Sequence, residues 1–419
     1  MPISLKTKAP HVWWGWFPIF LVLFEVSVYT ANDMIQPAMP RVVAEHGVSS
    51  AWIATALTAF MIGGGLLTWL LGPYSDLVGR RPVLLTGVAL FFLACLATHF
   101  IAHIEGFMLL RVLQGMGMSF IGAVGYAAIQ EGFEEKRAIR IMALMANVSL
   151  IAPLLGPLLG AWIIEWAPWQ TIFAINASLA LIAFVGLFFC MPETLPLEVK
   201  QSTMRSAPNL LRFLSHLVHQ YRALAEDKNF WRNSMTPALM ITPTLGWIGL
   251  GPMILMNDFG LSSREFALWQ IPVFSCLIAA NLFLAYVTGR WPLQRSLYIG
   301  LWIAACAALL GLGLVFTIGA AVWILALITA LIGVVDGLSM SVYYRFALTG
   351  SDAPKGILAA AVSVVFMAVL AVAVEVYKWT YLHFGMQGYL VLTTACMWVF
   401  IVLARRTIAH GLTLREPAA

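Results

Sequence analysis

Twelve apolar runs, each about as long as a bilayer core is thick, limit what this chain can fold into. A helix needs about 20 predominantly apolar residues to cross the hydrocarbon. The first six runs lie near 13–39, 51–72, 82–101, 106–130, 139–164 and 170–191. The second six lie near 230–256, 264–288, 296–317, 321–347, 356–380 and 387–404. They are continuous rather than alternating, which selects helices over barrel strands, the other structure that satisfies every backbone group in lipid. Composition agrees, with 61% of 419 residues hydrophobic and 10% charged, against about 25% charged in soluble domains. The expected fold is an all-α membrane protein: two pseudo-symmetric six-helix bundles (1–191 and 230–404), a polar linker at 192–229 and a tail at 405–419. Within the linker, Leu210, Leu211, Leu214, Leu217 and Val218 recur at helical spacing and predict one amphipathic helix.

Charge placement sets the orientation. With the N-terminus in the cytoplasm, 20 of the 24 Lys and Arg residues fall on the cytoplasmic side, the exceptions being Arg41, Arg111, Arg264 and Lys378. The positive-inside rule therefore puts both termini in the cytoplasm. The net charge of +5 is topological and calls for no nucleic-acid partner. The first run starts at Val12 and outlasts a signal-peptide core of about 7–15 residues, so it reads as a span. Cys95, Cys190, Cys276, Cys306 and Cys396 all lie in apolar runs without metal-ligand spacing. A weak repeat joins the halves: Gly79-Arg80-Arg81-Pro82 and Gly289-Arg290-Trp291-Pro292 occupy equivalent loops 210 residues apart.

Charged and kinked positions inside the spans carry the chemistry. Glu25 and Asp33 share the first span, eight residues apart, which is about 80° in azimuth and about 12 Å along the axis. Both can line one cavity. An intramembrane carboxylate costs about 2.5–3.5 kcal/mol on insertion scales and marks a functional candidate. A carboxylate that binds either a proton or a cationic substrate couples the two by competition, whereas a structural pair with Arg111 would hold it inert. Arg111, in Arg111-Val112-Leu113-Gln114-Gly115, either snorkels to the span end or faces the cavity. Asp336 is a third membrane acid, poised for coupling or for pairing with Arg345. Glu375 lies one turn from Lys378 and is expected to pair with it. Glu131 and Glu134 end the fourth helix as proton relays or loop caps. Tyr29, Asn32, Met142, Met145 and Asn147 are candidates for an adaptable substrate surface, although methionines at such spacing more often fill a core.

Two motifs concern movement. In Gly72-Pro73-Tyr74-Ser75-Asp76-Leu77-Val78-Gly79-Arg80-Arg81, Gly79 permits a tight turn, and Asp76 can accept from a neighbouring helix N-terminus or pair with Arg80, a cluster that can latch the halves on the cytoplasmic side and break when they rock. In Pro153-Leu154-Leu155-Gly156-Pro157-Leu158-Leu159-Gly160, Gly156 and Gly160 make a face for close helix approach, and Pro153 and Pro157 bend the helix.

These strings resemble the drug:proton antiporters of the major facilitator superfamily. The first motif is similar to its second-to-third helix loop, Gly-x-x-x-Asp-Arg-x-Gly-Arg-Arg; Leu77 stands where the pattern has Arg and removes one partner from the latch. The second resembles the antiporter Gly-Pro motif, and the Arg111 string its Arg-x-x-Gln-Gly pattern. Asn32 to Pro37, Gly122 to Glu131 and Ala143 to Val148 look like the MdfA-type bacterial multidrug antiporters. The resemblance implies twelve helices, alternating access and proton-driven export of lipophilic cations and neutral drugs such as chloramphenicol. It implies Glu25, Asp33 and Arg111 as the membrane charges, with Asp336 an addition. The expected partners are small-molecule drugs, protons and membrane lipid, for a monomer in a bacterial inner membrane. The alternative is a metabolite or sugar exporter on the same fold. No cofactor, metal site or catalytic residue is expected, and the chain has no nucleophile elbow, zinc-ligand pair or Gly-x-x-x-x-Gly-Lys-Ser/Thr loop.

Overall fold

The computed structural model describes residues 12–196, 210–317, 321–351 and 353–413. Lys6, Lys8, Lys200, Arg205 and Arg415, used above to orient the chain, lie outside the described residues. The first bundle comprises α1 (Trp14–Glu45), α2 (Ala51–Val78), α3 (Arg80–Phe100), α4 (Ile104–Gly132), α5 (Glu135–Trp166) and α6 (Gln170–Cys190). The expected linker helix is α7 (Leu210–Ala225). Then come α8 (Lys228–Asp258), α9 (Ser263–Val287), α10 (Leu293–Thr317) and α11 (Val322–Thr349). The last helical stretch, Lys355–Thr413, runs for 59 residues and is broken at Gly385, where φ 60° and ψ −150° are non-helical. At 1.5 Å per residue such a stretch would be about twice the length that spans a bilayer. The break divides it into α12 (355–384) and α13 (386–413), and the described helices make twelve crossings in all.

Contacts repeat with the sequence halves. α2 packs on α4, α3 on α4 and α6, and α1 on α5 and α6; α9 packs on α11, α10 on α11 and α13, and α8 on the α12–α13 stretch, six crossings on in each case. The tight pairs are made by glycine. A Cβ at Gly115 would strike the Phe60 backbone, and one at Gly337 the Leu277 carbonyl. The two seams between halves, α2 on α12 and α5 on α9, also exchange under this symmetry. The N-terminal face holds the start of α1, the 72–81 loop and α7; the opposite face holds the α1–α2 and α8–α9 turns.

The first span deviates from a plain helix, and its sequence explains why. Regular α-helix ends at Asp33, followed by a 3₁₀ turn at Gln36–Ala38. Pro37 has no N–H to give the Asp33 carbonyl, and Pro40 none for Gln36. A second irregularity is the π-helical turn Ile121–Gly125 in α4, just before Tyr126.

Candidate functional site

Asp33 sits at the break in α1, where α5 comes closest. Cβ atoms added at Gly156 and Gly160 would collide with Asp33 Cβ and the Met34 carbonyl oxygen, so the small face of α5 is occupied by the distorted backbone of α1. Asp33 is 4% exposed. It lines a small hollow with Gln36, Pro153 and Pro157 of the first bundle and Ile248, Phe266, Gln270 and Phe274 of the second. Gln270 is held by Trp247, whose indole N–H donates to its amide oxygen at 2.8 Å. The acid is therefore at the wall between the halves, turned away from lipid and without an ion pair among the described residues.

Arg111 reaches Asp33 only indirectly. It is 1% exposed, which rules out the snorkelling expectation: the start of α4 at Ile104 puts it two turns deep, under the Phe60 ring at 4.7 Å. Its Nη2 donates to Asn32 Oδ1 at 2.5 Å, and Asn32 Nδ2 donates to Asp33 Oδ1 at 3.0 Å. Nη1 donates to Gln114 Oε1 at 2.9 Å, and Gln114 in turn donates to Thr98 at 3.1 Å. No carboxylate among the described residues forms an ion pair with Arg111. Asn32, expected on the substrate surface, is instead 7% exposed and bridges the cation to the acid.

Glu25 lies two turns nearer the N-terminal face, 1% exposed. One carboxylate oxygen is buried without a partner among the described residues, and the Tyr126 hydroxyl is within hydrogen-bonding reach of the group. Tyr29 is half-buried, close to Glu25, Asp33 and Ser149. Tyr126 was not singled out from sequence; it follows the π-helical turn Ile121–Gly125, which no motif in the chain announces.

On α5, Met145 is fully buried and Met142 receives a contact from Gln130 at 3.5 Å. Asn147 is exposed and lies about 200° round the helix from Met145, so the two do not share one surface. Exposure along α5 is uneven. The side that meets α9 at Pro153 and Pro157 is uncovered nearer the N-terminal face, at Ala143, Ala146 and Asn147. A crevice between the bundles thus opens toward that face. At the opposite face they touch: Ser263 Oγ donates to the Pro37 carbonyl at 3.2 Å, and Lys378 Nζ to Thr55 at 2.8 Å. Lys378 also pairs with Glu375, as the sequence predicts.

The 72–81 segment, expected as a loop, is helical except at Gly79 and forms an ion cluster within the first bundle. Arg80 pairs with Asp76 at 2.6 Å and with Glu131 at 2.8 Å, and its guanidinium also bonds Ser75. Its backbone N–H donates to Glu193 at 2.8 Å. Gly79 has φ 126°, and a Cβ there would press on the Glu193 carboxylate, so glycine is required twice over. These partners all belong to the first bundle or its exit, so in this structure, open on that face, the cluster does not join the halves. Glu193 was missed because it lies in the linker, far away in sequence. Leu77 joins the halves instead: with Leu70 it packs against an apolar cluster of Leu217 and Leu224 from α7, Ala347, and Ile357 and Leu358 of α12.

Asp336 does not pair with Arg345. Nine residues place them on opposite sides of α11, and Arg345 is exposed while Asp336 is 2% exposed. Asp336 Oδ2 instead accepts from Thr244 of α8 at 2.6 Å.

Two bundles, buried acids at their junction and a one-sided crevice describe a transporter. The sequence profile of the Major Facilitator Superfamily matches residues 21–374. The chain belongs to the Major Facilitator Superfamily. Its relatives include "Multidrug transporter MdfA" of Edwardsiella piscicida, 40% identical over 389 residues and covering 92% of each chain. Another is "Multidrug transporter MdfA" of Yersinia pestis bv. Antiqua (strain Angola), 41% identical over 396 residues, covering 92% of this chain and 93% of that one. A third is "Chloramphenicol resistance protein CraA" of Acinetobacter baumannii, 40% identical over 416 residues, covering 98% and 94%. Among solved structures, a D-xylose-proton symporter superposes with a TM-score of 0.69 at 16% identity, covering 93% and 97%. A bacterial homolog of the human lysosomal transporter Spinster, inward-facing and unoccupied, gives 0.72 at 12% identity, covering 99% and 100%. The superfamily fold is thereby shown, and the chain is a multi-pass membrane protein.

Proposed function

We propose that this protein is a proton-coupled multidrug efflux antiporter of a bacterial inner membrane, exporting lipophilic cations and neutral drugs such as chloramphenicol by alternating access. The names of its relatives support drugs as substrates. The observation that carries the coupling is Asp33, buried at the wall between bundles, bonded to an amide and lining a hollow shared by both halves.

The N-terminal face is read as cytoplasmic, on the positive-inside rule, so the crevice opens inward. In that state the α1 acids release their proton, and a cationic drug takes its place, or a neutral drug rests against Tyr29 and Met142. After the halves rock, a proton from outside reoccupies Asp33 or Glu25 and displaces the drug. Arg111 polarises Asp33 through Asn32 without neutralising it, so the acid stays open to either cation. Gly156 and Gly160 let α5 carry α1 through the swing, while Asp76, Gly79 and Arg80 keep the first bundle rigid.

Everted membrane vesicles under an imposed pH gradient test the reading: cationic and neutral drugs should accumulate only while the gradient lasts. Purified wild type should release protons when drug is added, and Asp33→Asn should abolish the release. Release at the wild-type yield from that variant would remove Asp33 from the mechanism.

A further inference from the structure

Three buried side chains on α11 each hold a polar atom without a hydrogen-bond partner among the described residues: Asp336 Oδ1, Ser339 Oγ and Tyr343 Oη. They are 2%, 1% and 0% exposed. Spacings of three and four residues set them within about 60° of one line, rising over about 10 Å of helix. Buried polar atoms are ordinarily paired with protein or water, so three in register on one face mark a hydrated or proton-carrying track.

Among the described residues, the surroundings contain no counter-charge. α8 offers Asp336 the Thr244 hydroxyl, α9 meets α11 at Gly333 and Gly337, α10 places Gly300 against Ser339, and α13 lays Phe400 against Tyr343. None of the ion pairs among the described residues includes Asp336. Among the described residues, Tyr298, five residues into α10, is within electrostatic range of Tyr343 and is 48% exposed. Thr244 stands one turn from Ile248, which lines the hollow beside Asp33.

We propose that Asp336 is a second proton-binding site, built into the second bundle and exchanging with the N-terminal face past Ser339 and Tyr343. It rests on the antiport reading above and adds one proton to each cycle. The step is a proton transfer: the carboxyl O–H bond breaks, the carboxylate keeps the electron pair, and the proton passes along hydroxyls and water to the aqueous side. A carboxyl at this depth with no cation beside it is tolerable in the neutral form.

The full-length protein, reconstituted in liposomes, allows two tests. The first balances a pH gradient against a chloramphenicol gradient to count protons per drug. Asp336→Asn should still transport, with one proton fewer per drug than wild type; an unchanged count overturns the proposal. The second records the infrared stretch of a protonated carboxyl and its exchange in heavy water, without any transport. Asp336→Asn should delete one such band that Asp33→Asn and Glu25→Gln retain, and Thr244→Val should shift it. Ser339→Ala and Tyr343→Phe should slow its exchange several-fold. No band assignable to Asp336 overturns the site, and undiminished exchange in both variants overturns the route. Drug flux indifferent to the pH gradient in wild type would instead sink the antiport reading, and the infrared arm would still stand.

Discussion

Asn32 puts an amide where an ion pair would otherwise form. Its oxygen accepts a hydrogen bond from Arg111 and its N–H₂ donates one to Asp33, so polarity passes but charge is not cancelled. Asn32→Ala should strand both groups in the interior, where a buried group losing its partner costs about 1–3 kcal/mol. Thermal unfolding in detergent should show that loss, and drug-induced proton release should fall with it. The identities of the acids were legible in sequence because a carboxylate within an apolar run has few innocent explanations. The geometry was not. Arg111 and Asn32 are 79 residues apart in the chain, and helical spacing in α1 says nothing about which neighbour α4 presents. Asp336 and Arg345 show the converse: proximity in sequence suggested a pair that the helical turn forbids.

Among the elements, α5 and the 72–81 loop make opposite demands on glycine. At Gly160 the need is for space, since the Met34 backbone occupies the position of a side chain. Gly160→Leu should lower the midpoint of thermal unfolding, overpacking of this kind costing typically ~1–3 kcal/mol, and should abolish export measured as drug resistance in cells. At Gly79 the need is for a backbone conformation as well as space. The repeated loop motif pointed to this turn, and the Asp76–Arg80 pair was foreseen from its spacing, yet Glu131 and Glu193 complete the cluster from elsewhere. Arg80→Ala leaves two carboxylates, Asp76 and Glu131, without their shared cation and should destabilise the fold far more than Arg81→Ala, compared by the same melting assay. Leu77→Arg should break the apolar cluster at α7 and α12 and raise the sensitivity of the linker to protease in intact everted vesicles.

For the whole molecule, the count of crossings and the twofold repetition could be read from hydropathy alone, because bilayer thickness fixes span length. Which side stands open could not, since both states bury the same apolar runs. The exposed flank of α5 decides it for this structure. In a background lacking native cysteines, Asn147→Cys should react with a membrane-impermeant maleimide from the N-terminal face, while Met145→Cys should stay unlabelled. Saturating drug should shield position 147. Labelling from the opposite side alone would reverse the assigned geometry.

Across the opposite face, beside the packed apolar side chains, Ser263 bonds the Pro37 carbonyl and Lys378 bonds Thr55. Hydrogen bonds of this kind contribute about 0.5–1.5 kcal/mol each, and one proton moving down a gradient carries about 1.4 kcal/mol per pH unit. Each of these bonds is therefore of the same size as the drive from one proton. Polar clasps of that strength can be undone one at a time by the modest voltage and acidity a living cell maintains, where fixed ion pairs would leave the pump shut.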